Sequence, residues 1–155
     1  MQESSGKDQT QVKLDPEIKV VMLEMLVNNF FGGSVSDEEL RERYVPSLVY
    51  MIEHMIRDTV APRLQALARE FTGGNKILAK HIKNFEELTD IALAGRKEGL
   101  GLWKEFQSEA SNEALRSNIR VFLAGAMEAT TSFATWAISH LSHNAEWQEK
   151  VYREV

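Results

Sequence analysis

The sequence contains 155 residues, with a formal net charge of −5 and no cysteine. A chain of this length predicts one domain, which can bury about 70% of its extended-chain area without metal or disulfide cross-links. The acidic balance argues against a nucleic-acid partner, because such proteins usually carry an excess of basic residues. The lack of cysteine excludes disulfides, thiolate metal ligands and thiol nucleophiles from this chain.

No segment of the sequence predicts membrane insertion. Residues 1–14 are polar and predict a flexible N-terminal segment, not a signal peptide. The most apolar window, residues 121–138, contains Glu128 and several hydroxyl side chains. A central carboxylate costs about 2.5–3.5 kcal/mol in a bilayer, so we expect a buried helix there and no membrane span. Without an anchor, we expect a cytoplasmic protein.

The spacing of the apolar residues is helical, and it predicts an all-α fold of about five to seven helices, one of them long and central. These helices would form a single domain over residues 15–155. Asp15 as a cap and Pro16 in the first turn predict where the first helix begins. Its expected buried face consists of Ile18, Val21, Met22, Met25 and Leu26.

Three further helices are predicted before residue 100, with a short element following at residues 100–106. Ser36 and Glu39 have the spacing of a capping box, and Pro46 is expected to kink or split the helix that they start. Residues 62–71 predict a short amphipathic helix, and residues 76–97 a longer one. The expected core residues of that longer helix are Ile77, Ile82, Phe85, Leu88, Ile91 and Ala92.

The last long helix is predicted to begin near Ser111, a good cap, and to reach Leu141. It would measure about 45 Å, which exceeds the width of a compact domain of this size. The segment is apolar nearly all round, as is typical of a helix in the middle of a protein. We therefore expect more protein around it than 155 residues supply. Its expected core residues are Leu115, Ile119, Phe122, Ala126, Phe133, Ala137 and Leu141.

Three segments together resemble a known family. Residues 124–131 read Ala-Gly-Ala-Met-Glu-Ala-Thr-Thr, residues 141–154 continue with an amphipathic pattern around Trp147, and residues 25–32 end in Phe-Phe-Gly. They resemble the long central helix, the helix after it and an earlier helix of the cytochrome P-450 family of haem-thiolate monooxygenases. The resemblance is strongest over residues 111–154 and is weak but co-linear elsewhere. Ala145 stands where the family usually has proline.

The family pattern on the central helix is Ala/Gly, Gly, any residue, Asp/Glu, Thr and Thr/Ser. A gapless alignment places it on residues 125–130, because an inserted residue would rotate the following helix face by about 100°. The resemblance then implies catalytic, proton-relaying roles for Glu128, expected in a dry buried site, and for Thr130. Ala129 replaces the family's catalytic threonine, so we expect proton delivery through substrate, water or Thr130. The implied haem-binding residues are Gly125, Ala126 and Ala129.

The family's haem-ligand cysteine has no counterpart here, because the chain lacks cysteine. The resemblance therefore implies an internal fragment of a larger enzyme, inactive by itself and without a thiolate for haem. The parent enzyme would insert one oxygen atom of dioxygen into an apolar small-molecule substrate. Haem would be its cofactor, and a redox partner would supply electrons.

The sequence also supports an alternative of a different class. Without the resemblance, it predicts an all-helical protein-interaction or self-associating module, because the long apolar helix needs a partner. We assign no metal site. His140, His143 and Glu146 lie at a helix end, where histidines more often sit near free carbonyl groups. His54 and His81 are expected to be ordinary surface or core residues.

Overall fold

The computed structural model describes residues 13–95, Trp103 and residues 111–154. The described residues form helices and contain no strand, which confirms the all-α fold class. The predicted segment 1–14, except its last two residues, and the element at 100–106, except Trp103, lie outside them. The helices are α1 (Leu14–Glu24) with a π-helical turn (Met25–Phe30), α2 (Asp37–Glu39) with a π-helical turn (Leu40–Tyr44), α3 (Val45–Val60), α4 (Pro62–Thr72), α5 (Gly74–Ala94), α6 (Asn112–Ser142) and α7 (Ala145–Glu154).

Helix α1 begins at Leu14, two residues earlier than predicted, and Asp15 does not cap it. The residue at the cap position is Lys13, whose side chain makes no capping hydrogen bond. Asp15 lies inside the first turn, where its carboxylate accepts a hydrogen bond from Lys19 Nζ at 2.9 Å. A carboxylate in the first turn still favours the helix, because it lies near the positive end of the helix dipole.

Helices α2 and α3 form one run of helical turns from Asp37 to Val60. The side chain of Ser36 accepts a hydrogen bond from the backbone of Glu39, and the Glu39 carboxylate accepts one from the backbone of Ser36, so the capping box is confirmed. Pro46 lies in the first turn of α3, directly after the π-helical turn. We expected a kink or a split at this proline, which has no N–H to donate. The split is wrong, because the helical turns continue through Pro46 after a wider π-helical turn.

Helix α1 packs antiparallel along α6, so that Lys19 lies beside Glu128 and Phe30 beside Phe122. The predicted buried face of α1 is wrong at Val21 and Met25, which are both exposed. The apolar residues there are nearly consecutive and therefore fit two neighbouring faces of a helix. The side chains that the core takes from this part of the chain are Val20, Leu23, Leu26, Val27 and Phe31.

Helix α6 is the predicted long helix, and its cap is confirmed, because Ser111 Oγ accepts a hydrogen bond from the backbone N–H of Ala114. Its predicted core is wrong at Phe122 and Phe133, which are exposed. The packing of α1 and α5 selects one narrow line on a helix that is apolar nearly all round. The buried residues on that line are Leu115, Ile119, Leu123, Met127 and Thr131.

Helix α5 joins α6 to the helices before it. Its predicted core residues Phe85, Leu88 and Ala92 are buried, whereas Ile77 and Ile82 are exposed. The exposed pair lies in the first half of α5, which packs on α3 and α4 and does not reach the main core. None of the described helices combines the length and the apolar character that a membrane crossing requires.

Candidate functional site

All five residues implied by the resemblance lie on the unbroken helix α6. Gly125, Ala129 and Thr130 are exposed. Ala126 is partly buried and packs against the core, and Glu128 is partly exposed at the edge of the contact with α1. The helix therefore presents these residues on several sides and does not gather them into one closed pocket.

The side of α6 that carries Gly125 and Ala129 is open. A β-carbon added at Gly125 would meet no atom within 4 Å. Large apolar side chains continue this side toward the C-terminus, with Phe133 74% and Trp136 68% exposed. We call the residues Gly125, Ala129, Phe133 and Trp136 the open face. It combines a flat stretch without bulky side chains and an adjacent aromatic stretch.

Glu128 is not in the dry, buried site that we expected. Its side chain is 42% exposed, and its carboxylate lies 3.8 Å from the amine of Lys19, which is only 11% exposed. Lys19 also forms an ion pair with Asp15, so one amine on α1 pairs with two carboxylates. The reason is the crossing of the helices, which places Glu128 at the border of the α1–α6 contact. Lys19 was not predicted as a site residue, because no local signal links positions so far apart in the sequence.

Glu128 and Thr130 point away from each other. Residues two apart on a helix lie about 200° apart around its axis, so the two side chains cannot face the same point from one side. The neighbouring Thr131 was visible in the sequence as part of a Thr-Thr pair but was not singled out. It is fully buried, and its hydroxyl has no hydrogen-bond partner among the residues that the structure describes.

A second feature that the sequence did not predict is a groove at the N-terminal half of α6. We call it the aromatic groove; its volume is about 570 Å³, and its lining includes Phe30, Phe31, Trp103, Asn118, Phe122 and Ala126. The rings of Phe30 and Phe122 stack 5.0 Å apart and 5° from parallel. Phe31 meets Trp103 edge to face, with the ring centres 5.0 Å apart. Edge-to-face and stacked arrangements are the preferred geometries of aromatic pairs.

Helices α3, α4 and α5 share a polar cluster around His54 and His81. Arg69 donates to both oxygens of Asp58, at 2.6 and 2.7 Å, and to His54 Nε2 at 2.8 Å. The ring of Tyr50 stacks between the two imidazoles. Burial, and to a smaller extent the charge of Lys80, lower the pKa of His81.

The hydrogen bonds of this cluster are complete around Ser47. Its hydroxyl donates to the carbonyl of Arg43 and accepts from Asn84 Nδ2 at 2.8 Å, and its oxygen lies 3.0 Å from His81 Nδ1, within hydrogen-bond distance. Because Ser47 is almost fully buried and its proton is already committed, the hydroxyl cannot act as a nucleophile on an outside substrate. The cluster holds α5 to α3, which agrees with the expectation of ordinary histidines.

Within the part of the chain that the structure describes, no three His, Asp or Glu side chains are grouped to hold a metal ion. No family model, no curated protein and no solved structure matches this chain.

Proposed function

We propose that this chain is the part of a P-450-type monooxygenase that carries the long central helix, and that it has no monooxygenase activity by itself. The sequence of residues 124–131 supports the proposal, together with its position on an unbroken helix. The observation that carries it is the open face, where Gly125 and Ala129 leave a flat, uncovered surface. A buried or bulky face at these positions would have been incompatible with a cofactor lying against them.

The open face fits a planar group such as haem, because no described atom occupies the space beside Gly125. Gly125 and Ala129 would lie against the macrocycle. Ala126, the third haem-binding residue that the resemblance implies, packs against the core on another side of α6 and would not. A bound haem would supply the activation of dioxygen. Its thiolate ligand would belong to residues outside these 155, because the chain contains no cysteine.

In this proposal, Glu128 is the acid that exchanges protons with water at the edge of the open face. Lys19 holds its carboxylate toward α1 through their ion pair. Thr130 lies on the opposite flank of α6 and would order water there, and Ala129 provides no hydroxyl. A positioned acid or base of this kind is typically worth about 10²–10⁴ in rate.

The coding sequence on either side of these residues is the first test. A following Glu-x-x-Arg helix and a cysteine-containing loop would support the proposal, and a coding sequence with neither would contradict it. In an enzyme that contains this chain and that loop, we expect Glu128→Gln to lower the rate of product formation about 10²-fold or more. Glu113→Gln, in the first turn of the same helix, is the matched control and should leave that rate unchanged.

A second candidate function is an interaction or self-associating module, and a separate observation favours it. Large apolar side chains are exposed over the C-terminal half of α6 and along α7, among them Phe133, Trp136, Trp147 and Tyr152. Large aromatic side chains are enriched at protein interfaces, so their exposure here favours an interaction surface. Sedimentation velocity of the isolated chain tests this candidate, because only this function requires species larger than the monomer.

A further inference from the structure

The aromatic groove has a buried floor and a partly exposed wall. Phe31 and Trp103 are buried, and so is Ile119, which also contributes to the lining. Phe122 is 43% exposed, although one face of its ring stacks on Phe30. Ala126 lies one turn further along α6 and leaves room where a larger side chain would fill the groove. The groove volume is within the range of about 300–1,000 Å³ that is usual for small-molecule sites.

The chemistry of the lining restricts what the groove can hold. Its described lining contains no charged side chain, so a charged molecule would lose its hydration without gaining a partner. The one side-chain amide in the described lining belongs to Asn118, an exposed residue whose side chain makes no hydrogen bond to another described residue. Asn118 and Phe122 are four residues apart and therefore neighbours on the surface of α6. An acceptor group on a ligand that stacks against Phe122 would be within reach of this amide.

We propose that the aromatic groove binds a neutral, planar aromatic molecule that carries an oxygen acceptor. The ring system stacks against Phe122 and fills the space over Ala126. The acceptor receives a hydrogen bond from the Asn118 amide. Binding needs neither haem nor a thiolate. Only the identification of this molecule with the substrate of the enzyme rests on the proposed function.

The test uses 2-acetonaphthone, a neutral ketone, and 2-isopropylnaphthalene, which has a similar shape but no acceptor. The full chain with Trp136→Phe and Trp147→Phe keeps Trp103 as its only tryptophan. We expect saturable quenching of Trp103 fluorescence by the ketone, with a Kd about three- to tenfold below that of the hydrocarbon, as one hydrogen bond provides. Asn118→Leu should remove that preference, and Ala126→Leu should raise the Kd of both compounds at least tenfold.

Phe133→Ala is the matched control, because Phe133 lies on the same helix but outside the groove, and its Kd should stay within twofold of the parent's. Non-saturable quenching, an unchanged Kd in Ala126→Leu, or an equal weakening in Phe133→Ala would overturn the proposal. If Ala126→Leu loses its cooperative melting transition, Asn118→Leu at its exposed position decides, and a retained ketone preference there overturns the proposal. Because haem is absent from every measurement, failure here leaves the monooxygenase proposal standing, and success does not establish it.

Discussion

A β-carbon added at Gly95 would overlap the carbonyl group of Gly32 and the amide nitrogen of Gly33. The backbone after α5 therefore lies directly against the chain that leaves the first π-helical turn, and only glycine permits this approach. Gly125 is the opposite case, because the space beside it is empty. Nothing in the described fold requires glycine at position 125, so its presence there is a cost to the helix that the fold itself does not explain.

The two glycines should respond in opposite directions to the same substitution. We expect Gly95→Ala to lower the free energy of unfolding by about 1–3 kcal/mol, because backbone atoms would have to move apart. Gly125→Ala should raise it by about 0.5–1 kcal/mol, because alanine is the better helix former in an exposed helix interior. Urea unfolding of both variants measures the difference. Changes of the same sign in the free energy of unfolding would contradict the crowded surroundings of Gly95 and the open surroundings of Gly125.

The capping box at Ser36 predicts a pH dependence. Hydrogen bonds from the side chain and then from the backbone of Ser36 lower the pKa of Glu39 below its ordinary value. A lowered pKa in the folded state means that the contribution of Glu39 is present near neutral pH and disappears as the pH falls through that lowered value. Ser36→Ala should therefore destabilise the chain more at pH 7 than at pH 3.

Denaturant unfolding at the two pH values checks this prediction. Ser34→Ala changes an exposed serine in the same loop and should show no such difference. The pKa of Glu39, followed by NMR, should rise toward the ordinary value in Ser36→Ala. If the pKa of Glu39 in Ser36→Ala stays as low as in the parent, the capping box is not the cause of the lowered pKa.

At the scale of elements, the segment between the first π-helical turn and α2 is fixed by Asn28. Its side-chain amide donates to the carbonyl of Val35 and its side-chain oxygen accepts from the N–H of Val35, both at 2.9 Å. Val35 is buried, so its backbone groups have no access to water as an alternative partner. This pair of bonds closes the connection over the core and positions Phe31 beneath it.

We expect Asn28→Ala to lower the free energy of unfolding by about 1–3 kcal/mol, the usual cost of leaving buried backbone groups unpaired. Asn29→Ala, at the exposed neighbouring position, is the control and should stay within about 0.5 kcal/mol of the parent. Amide exchange at Val35 should accelerate in the first variant only. Equal stability of the two variants would show that the two hydrogen bonds between Asn28 and Val35 do not stabilise the fold.

The elements themselves were largely predictable from the sequence, but their faces were not. The capping box at Ser36 and the cap at Ser111 are local signals, and both are confirmed. Val20 is buried and Val21 is exposed, and Leu123 is buried where Phe122 is not, because of where distant helices cross. A run of consecutive apolar residues does not indicate that crossing point. For the same reason, the sequence could indicate Glu128 as a candidate site residue, but it could not predict the contact between Glu128 and Lys19. The aromatic groove joins residues from three distant parts of the chain.

At the scale of the whole molecule, packing is uneven along α6. Its N-terminal half lies against α1 and α5, whereas the large apolar side chains beyond Thr131 are exposed, and α7 contains no buried residue. Segments with few buried contacts open at low free energy. We expect amide exchange in α7 and in the last two turns of α6 to be much faster than at Leu115–Met127. Equal protection along α6 would contradict this uneven packing.

The same exposed surface predicts self-association of the isolated chain. Trp136 and Phe133 alone offer large aromatic area to a partner, and interfaces are enriched in such side chains. Sedimentation velocity over a range of concentrations should show species larger than the monomer, and Phe133→Glu should reduce them. Val60→Glu, at an equally exposed position on α3, should not. A monomer at all concentrations would remove the support for the interaction module.

The buried positions of α6 recur every four residues from Leu115 to Thr131. Four residues advance slightly more than one full turn, so each buried side chain lies about 40° further round than the one before it. The line of buried side chains therefore winds gradually around the axis of α6. Deleting one residue between Leu123 and Met127 would rotate the later buried side chains out of their contact with the neighbouring helices. A deletion beyond Ser139 would move no buried side chain of α6. Length variation in this helix is consequently restricted between Leu115 and Thr131 and permitted near its C-terminal end.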